Sequence, residues 1–205
     1  MRVDEGIACA KMPCADVEHR GLAIPKVKID PAKVSILLIS ESAAAKIEDN
    51  YYRGSDALFE QTTRQAFKDA GADVDSFTDI LKLGVYLTPA VKCRKTGYVI
   101  SNSTIDECSH LLEQEIALFP NWKVMLLMGD AAIRAINTIA KRNGEKRVIP
   151  AAATYKIRGE EFSFRGCRVL PSYLQAGPSF FIEKVKRKMI AEDIRTALEL
   201  AGVSL

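Results

Sequence analysis

The sequence predicts an α/β protein, a three-layer α/β/α sandwich with a central, mainly parallel four-stranded sheet. The first observation is a set of short apolar runs, such as Val34 to Ile39 and Val124 to Met128, which are typical of strands buried on both faces. The second is that segments of helical periodicity separate these runs, and strands that alternate with helices form parallel sheets. A chain of 205 residues can bury one good core, so we expect a single domain over residues 1–205.

The first half of the chain supplies an irregular arm, two strands and two helices. Residues 1–31 show no clear periodicity and form the arm, which precedes the strand at 34–39. Residues 56–70 carry apolar side chains at helical spacing and stop before a glycine. Residues 76–84 start with a capping pattern that predicts a short helix, and residues 85–88 predict the second strand.

The second half continues the alternation until a hairpin interrupts it. A capping box predicts a helix that starts at residue 104 and ends before a proline, and residues 124–128 form the third strand. Residues 130–143 predict a helix closed by a glycine. Residues 156–170 predict a hairpin whose second arm supplies the last strand, and residues 179–201 predict one long terminal helix.

Composition limits where the protein works. The longest apolar runs are far below the roughly 18 to 20 residues that span a bilayer, and the first 25 residues lack the apolar core of a signal peptide. We therefore expect a cytoplasmic protein that is a monomer and has no membrane partner. In a reducing compartment its five cysteines are thiols or metal ligands rather than disulfides.

Charge is distributed unevenly along the chain. The formal net charge is only +3, but residues 31–90 hold 6 Lys/Arg against 9 Asp/Glu, whereas residues 141–190 hold 12 against 4. The C-terminal half is therefore where a polyanion such as DNA would dock. For a single basic run the alternative is a solvated helix face.

The loop after the first strand is the best candidate for a binding site. Ser40, Ser42 and three alanines leave room beside the backbone, and Glu41 is the one large polar side chain among them. Ligands of open α/β sheets collect beyond the carboxyl ends of the strands. The alternative is a strand followed by an ordinary loop.

Four motifs in order carry a family resemblance: SESAAAKIED after the first strand, LTPAVKC after the second, VMLLMGDAAI after a helix that bears Cys108, and VLPSYLQAG at the end. This order resembles the uracil-DNA glycosylase superfamily, in particular its iron-sulfur-containing thermostable branch. The resemblance covers roughly residues 34–177 and implies a three-layer fold that binds DNA and excises a base.

The resemblance also implies roles for particular residues. Glu41 falls on the motif glutamate and would orient the attacking water, and Tyr52 falls on the aromatic that stacks on the flipped base. The remaining base-binding candidates are Ser42, Pro89, Tyr173, Leu174 and Gln175. The candidates for DNA-backbone contacts are Lys92, Arg94, Lys95, Lys156, Arg158 and Ser172.

Two motif positions differ from the family pattern. The asparagine that reads the uracil edge is replaced by Pro89, which has no N–H and no side-chain donor. The histidine of the last motif is also missing, because Leu174 and Gln175 follow Tyr173. We expect poor excision of uracil or a preference for another base that suits a more apolar pocket.

Four cysteines are candidate metal ligands. Cys9 and Cys14 lie in the arm, Cys93 follows the second strand and Cys108 lies on the buried stripe of the next helix. Four thiolates suit a [4Fe-4S] cluster, and the family places its ligands at comparable positions. The alternatives are buried free thiols or a tetrahedral zinc site. Cys167 lies on a strand-like segment and is expected to pack.

The leading functional hypothesis is a DNA glycosylase of base-excision repair that acts on a deaminated or damaged base. The alternative is a relative that binds nucleic acid or a nucleotide without catalysis. A flavodoxin-like or nucleotide-binding module also fits the alternating strands, but the sequence has neither a glycine-rich fingerprint nor a phosphate loop.

Overall fold

The computed structural model describes residues 1–19 and 22–205. Within this part of the chain six strands form one sheet: β1 (Val17–Glu18), β2 (Ile36–Ala43), β3 (Val85–Lys95), β4 (Val124–Met128), β5 (Phe162–Phe164) and β6 (Cys167–Ser172). The helices of the same part are α1 (Leu58–Asp69), α2 (Phe77–Lys82), α3 (Asn102–Ala117), α4 (Asp130–Arg142), α5 (Thr154–Ile157), α6 (Ser179–Ile182) and α7 (Lys184–Ala201). Two short 3₁₀ turns lie at Pro31–Lys33 and Ile47–Asp49.

The strand order across the sheet is β1-β3-β2-β4-β6-β5. The four central strands are parallel to one another, which confirms the α/β class. β1 and β5 pair antiparallel at the two edges, so the sheet is mixed and the expectation of four strands is wrong. The edge strands have two and three residues, which is too short for a periodic pattern to be visible in the sequence.

Helices cover both faces of the sheet because side chains alternate along each strand. Leu37 and Ile39 of β2 belong to the apolar core beneath α3 and α4. Ile36 and Leu38 belong to a second core with α1, α2 and α7. All four side chains are at most 2% exposed, as the apolar run predicted. Among the described residues, no helix combines the length and the apolar character needed to cross a membrane.

Several element boundaries differ from the sequence prediction. β3 continues to Lys95, although Pro89 cannot donate a ladder hydrogen bond. α3 starts at Asn102, two residues before Thr104, because the Ser101 side chain accepts the N-terminal hydrogen bond from the Thr104 amide. The start of the predicted hairpin overlaps the end of the short helix α5, and the observed hairpin joins β5 to β6.

The long terminal helix is also interrupted. Glu183 leaves the helical conformation with ψ 70°, so α6 and α7 are separate. The predicted apolar stripe packs from Ile190 onward, whereas Phe181 is 45% and Val185 is 70% exposed. The break turns the first part of the stripe away from the core.

Candidate functional site

Glu41 lies near the carboxyl end of β2 and lines an open cleft of about 550 Å³. This volume is within the range of small-molecule binding sites. The cleft is bounded by the small residues Ala43, Ala44 and Ala45, by the end of β3 and by the segment after β6. Five residues that the sequence marked as site candidates meet here: Glu41, Ser42, Arg94, Lys95 and Leu174.

The Glu41 carboxylate is held by the elements around it. Its Oε1 accepts a long hydrogen bond of 3.5 Å from the amide of Ala131, in the first turn of α4, where the helix dipole attracts negative charge. Its Oε2 lies 3.9 Å from Nζ of Lys95. The Glu41 side chain remains 21% exposed. The carboxylate is therefore positioned but keeps oxygen lone pairs that a water molecule can use.

Gly129, which joins β4 to α4, makes this position of Glu41 possible. Its φ of 105° and ψ of 170° belong to a region that other residues rarely adopt. A Cβ on Gly129 would lie 2.7 Å from both Cγ and Oε1 of Glu41. In the sequence Gly129 indicates only a turn before a helix, and no local pattern predicts its contact with Glu41.

A register shift brings two cations to the cleft. Ser42 pairs with Val91, whereas the next residue, Ala43, pairs with Arg94. Such irregularities re-aim side chains at the end of a strand. Arg94 is 45% exposed and pairs with Glu18 at 3.3 Å, and Lys95 is 35% exposed. Both cations are accessible from the cleft, where an anionic ligand would meet them.

Tyr52 and Pro89 do not line this cleft. They line a separate cavity of about 30 Å³, which has room for no more than a few water molecules. The Tyr52 hydroxyl accepts a 2.9 Å hydrogen bond from the Leu87 amide, and its ring meets the Phe77 ring edge-on with centroids 5.1 Å apart. Burial raises the pKa of Tyr52, which keeps its hydroxyl protonated. In this arrangement the ring is packed against protein rather than presented to a base.

The last motif splits between the cleft and the core. Leu174 reaches the cleft, whereas Gln175 is fully buried and donates to the Tyr51 hydroxyl at 2.9 Å. Burial raises the pKa of Tyr51 to about 12. Ser172 is also buried and donates to Asp193 at 2.5 Å. Tyr173 is partly exposed, and the Lys186 ammonium lies 5.5 Å from its ring centroid.

The candidate phosphate contacts separate into paired and accessible groups. Lys92 is fully buried, forms an ion pair with Glu115 and donates to the Pro89 carbonyl at 2.6 Å. Arg158 donates to Asp193 at 2.7 Å and to a second acid on α7 at 3.0 Å. Lys156 is exposed. This conformation presents Lys156, Arg94 and Lys95 to solvent, and it uses Lys92 and Arg158 within the protein.

The four candidate cysteine ligands lie in one region of the molecule. Cys93 and Cys108 are buried, and Cys9 and Cys14 pack against the same apolar core. Burial, and then the charges that the other three thiols would carry as thiolates, raises the pKa of Cys93 to about 12. The Cys108 sulfur accepts a 3.3 Å hydrogen bond from the Lys92 amide. Cys167 lies elsewhere, against the Trp122 carbonyl at 3.1 Å.

The grouping of these thiols can be compared with the needs of a zinc ion and of an iron-sulfur cluster. Over residues 1–19 and 22–205, no three or more His, Cys, Asp or Glu side chains are grouped to hold one metal ion. A tetrahedral zinc ion draws all of its ligands to one centre, whereas each thiolate of an iron-sulfur cluster binds a different iron atom. Cys9, Cys14 and Cys108 each contribute to the raised pKa of Cys93, so the four thiols lie near one another, as the ligands of one metal group must.

Comparison with known proteins identifies the family. The family model described as the uracil DNA glycosylase superfamily matches residues 28–192. Comparison with curated proteins gives no match. The matched segment contains all four central strands and the whole Glu41 cleft. From this match over most of its length, the chain belongs to the uracil DNA glycosylase superfamily.

Proposed function

We propose that this protein is a DNA N-glycosylase that removes a deaminated or damaged base. The observation that carries the proposal is Glu41, a partly exposed carboxylate in an open cleft beside Lys95. Membership of the superfamily supports a glycosylase-like activity in general. An enzyme of this class must take its target nucleotide out of the duplex, and the cleft volume can hold an extrahelical base.

In the proposed reaction, Glu41 accepts a hydrogen bond from a water molecule and orients it toward C1′ of the extrahelical nucleotide. The water oxygen forms a bond to C1′ as the C1′–N bond breaks, and the base leaves with the electron pair of that bond. The base takes up one proton and the sugar keeps the hydroxyl. Lys95 and Arg94, at the same cleft, would attract the phosphates that flank the nucleotide.

The residues around the cleft favour a base other than uracil. Donors aimed at the charge on a departing base typically contribute about 10²- to 10³-fold in rate. Leu174 donates nothing, Pro89 is packed beside the small cavity, and the Gln175 amide is used by Tyr51. We therefore propose slow release of uracil and faster release of a base whose departure depends less on such donors.

The test is single-turnover base release from single- and double-stranded oligonucleotides that carry uracil, hypoxanthine or xanthine. The Glu41→Gln variant should release the preferred base about 10²- to 10⁴-fold more slowly. Glu199→Gln makes the same chemical change at an exposed position of α7 and should match the wild type. Equal rates for Glu41→Gln and the wild type would remove Glu41 from the mechanism. Rapid release of uracil by the wild type would show that another donor replaces the missing ones.

A second function, base or nucleic-acid binding without catalysis, is supported by the packing of Tyr52. An aromatic that is hydrogen-bonded to the Leu87 amide and lines a cavity of about 30 Å³ has no room to stack on a base. Binding of the same oligonucleotides without release of any base would favour this function. Release that Glu41→Gln abolishes would exclude it.

We also propose that Cys9, Cys14, Cys93 and Cys108 hold a [4Fe-4S] cluster. The support is the location of the four thiols around one core, where each of the other three contributes to the raised pKa of Cys93. When bound, such a cluster would tie the N-terminal arm to β3 and α3. Anaerobically purified protein should be brown and contain iron, Cys108→Ala should lose both properties, and Cys167→Ala should keep them. A folded wild type that is colourless and free of iron would contradict this proposal.

A further inference from the structure

An exposed aromatic side chain stands at the rim of the Glu41 cleft. Tyr98 is 99% and its neighbour Val99 is 74% exposed, in the loop between β3 and α3. A single exposed apolar side chain is ordinary on a protein surface, but neighbouring exposed apolar side chains beside a cleft are typical of a binding site. Tyr98 makes no ring contact with the described part of the protein. Its ring therefore contributes no packing that would explain its presence.

The two ends of this loop are fixed, so the position of Tyr98 is defined. The Thr96 amide donates to the Asp16 carbonyl at 3.0 Å. The Ser101 amide donates to the Asp16 carboxylate at 2.7 Å, and this hydrogen bond is the main reason that the pKa of Asp16 is lowered. One acid of the N-terminal arm thus clamps both ends of a short loop. Binding through Tyr98 would cost less ordering entropy than binding through a free loop.

Charge around Tyr98 matches a nucleic acid. Lys95 donates to the Tyr98 carbonyl at 3.3 Å, and the same ammonium lies 3.9 Å from Glu41. One lysine therefore lies between the aromatic at the rim and the carboxylate in the cleft. A cation for phosphate beside an exposed ring for a base is the combination that single-stranded DNA sites use.

We propose that Tyr98 stacks on an unpaired DNA base that flanks the nucleotide held in the cleft. The inference rests on the proposed function, since it takes the nucleotide in the cleft as given. Aromatic side chains can stack on an unpaired base of any sequence because every base has a π-face. The ring of Tyr52 is packed inside the protein. Phe59 also lines the cleft but is only 9% exposed, so Tyr98 is the aromatic that a base can reach.

The experiment measures binding to a short duplex that contains a tetrahydrofuran abasic-site analogue, by fluorescence anisotropy. Tyr98→Ala should weaken binding by about 5- to 100-fold, and Tyr98→Phe should keep nearly full affinity because the ring remains. Leu200→Ala is the control. Leu200 is 48% exposed near the C-terminal end of α7, where the Ala201 carbonyl accepts a hydrogen bond from Lys123, the residue before β4. Thermal unfolding of each variant checks that the fold is intact.

Salt dependence separates stacking from charge. Tyr98→Ala should lower the affinity by the same factor at every salt concentration, because stacking releases no counterions. Lys95→Gln should instead flatten the slope of log K against log salt by about one unit. Unchanged affinity of a folded Tyr98→Ala variant would overturn the stacking role. If Tyr98→Ala weakens binding but no base is ever released, the stacking role stands and the glycosylase function fails.

Discussion

Two lysine–glutamate pairs, whose lysines both lie on β3, differ in how deeply they are buried. Lys92 and Glu115 are both 0% exposed, whereas Lys95 and Glu41 are 35% and 21% exposed. Lys92 also donates to Thr88 at 2.7 Å. The Lys95–Glu41 distance is 3.9 Å, at the limit of an ion pair. Three residues of sequence separate a lysine that stabilises the core from one that faces a cleft.

The difference shows which carboxylate can do chemistry. Oε1 of Glu115 accepts hydrogen bonds from the hydroxyls of Tyr86 at 2.5 Å and Thr88 at 2.8 Å. No room is left for water or substrate, and the group is a structural anchor between β3 and α3. Within the described part of the chain, Glu41 accepts only the long hydrogen bond from Ala131, and it stays open to the cleft. Glu41 is therefore the candidate catalytic group, because its oxygens can still accept hydrogen bonds from water or substrate.

Breaking the buried pair should have the largest effect on stability. Glu115→Gln keeps an oxygen for Tyr86 and Thr88 but leaves Lys92 charged and unpaired in the core, so we expect the free energy of unfolding to fall by about 3 to 5 kcal/mol. Adding Lys92→Met should restore most of the loss because it removes the unpaired charge. Urea unfolding measures both effects, with Glu107→Gln on the exposed face of α3 as the control. Equal stability of Glu115→Gln and the wild type would show that the pair is not an anchor.

Gly129→Ala should damage the cleft more than its stability cost suggests. The backbone strain costs about 1 to 3 kcal/mol, and the new Cβ would push Glu41 away from the Ala131 amide. Base release should therefore fall sharply while the protein still folds. Gly144→Ala is the matched control, because Gly144 also has a positive φ of 72° but a Cβ there meets nothing within 4 Å. Equal base release by the two variants would contradict the role of Gly129.

Removing the exposed lysine should change binding but not folding. Lys95→Gln should lower DNA affinity at low salt and leave the free energy of unfolding within about 0.5 kcal/mol of the wild type, as expected for an exposed pair. Lys92→Gln should do the reverse, with a large loss of stability. A stability loss in Lys95→Gln as large as that in Lys92→Gln would remove the distinction between the two pairs.

A third ion pair, Arg187 and Asp69, has side chains that are 30% and 22% exposed, close to the exposure of Lys95 and Glu41. Arg187 on α7 donates to Asp69 on α1 at 2.8 Å, and this hydrogen bond is the main reason that the pKa of Asp69 lies below its usual 3.8. A lowered pKa means that the stabilisation is present above pH 3.8 and is lost as the pH falls through the folded-state pKa. Asp69→Asn should cost about 0.2 to 1 kcal/mol at neutral pH and nothing in strong acid.

Thermal unfolding from acid to neutral pH tests this expectation. The exposed Asp73→Asn variant is the control and should track the wild type throughout. A difference between Asp69→Asn and the wild type that grows toward acid pH would have the wrong sign and would contradict the assigned cause.

The sequence predicted the features that depend on local pattern. Apolar runs identified the four central strands, and the order of motifs identified the superfamily, which the match over residues 28–192 confirms. The small side chains between Ser40 and Ala45, at the carboxyl end of β2, indicated the position of the cleft and of Glu41, because a strand end without bulky side chains leaves space. The roles of Glu41 and the four cysteines remain predictions.

Only the tertiary structure decided which polar side chains are buried. Lys92 and Lys95 are alike in the sequence. Lys92 is held in the core by an ion pair with Glu115, which lies 23 positions further along the chain. Gln175 meets the Tyr51 hydroxyl across 124 positions, and Tyr52 meets the Leu87 amide across 35. A periodic pattern shows which face of an element is apolar. The partner of a buried polar group is set by contacts between distant elements, and no local pattern records those contacts.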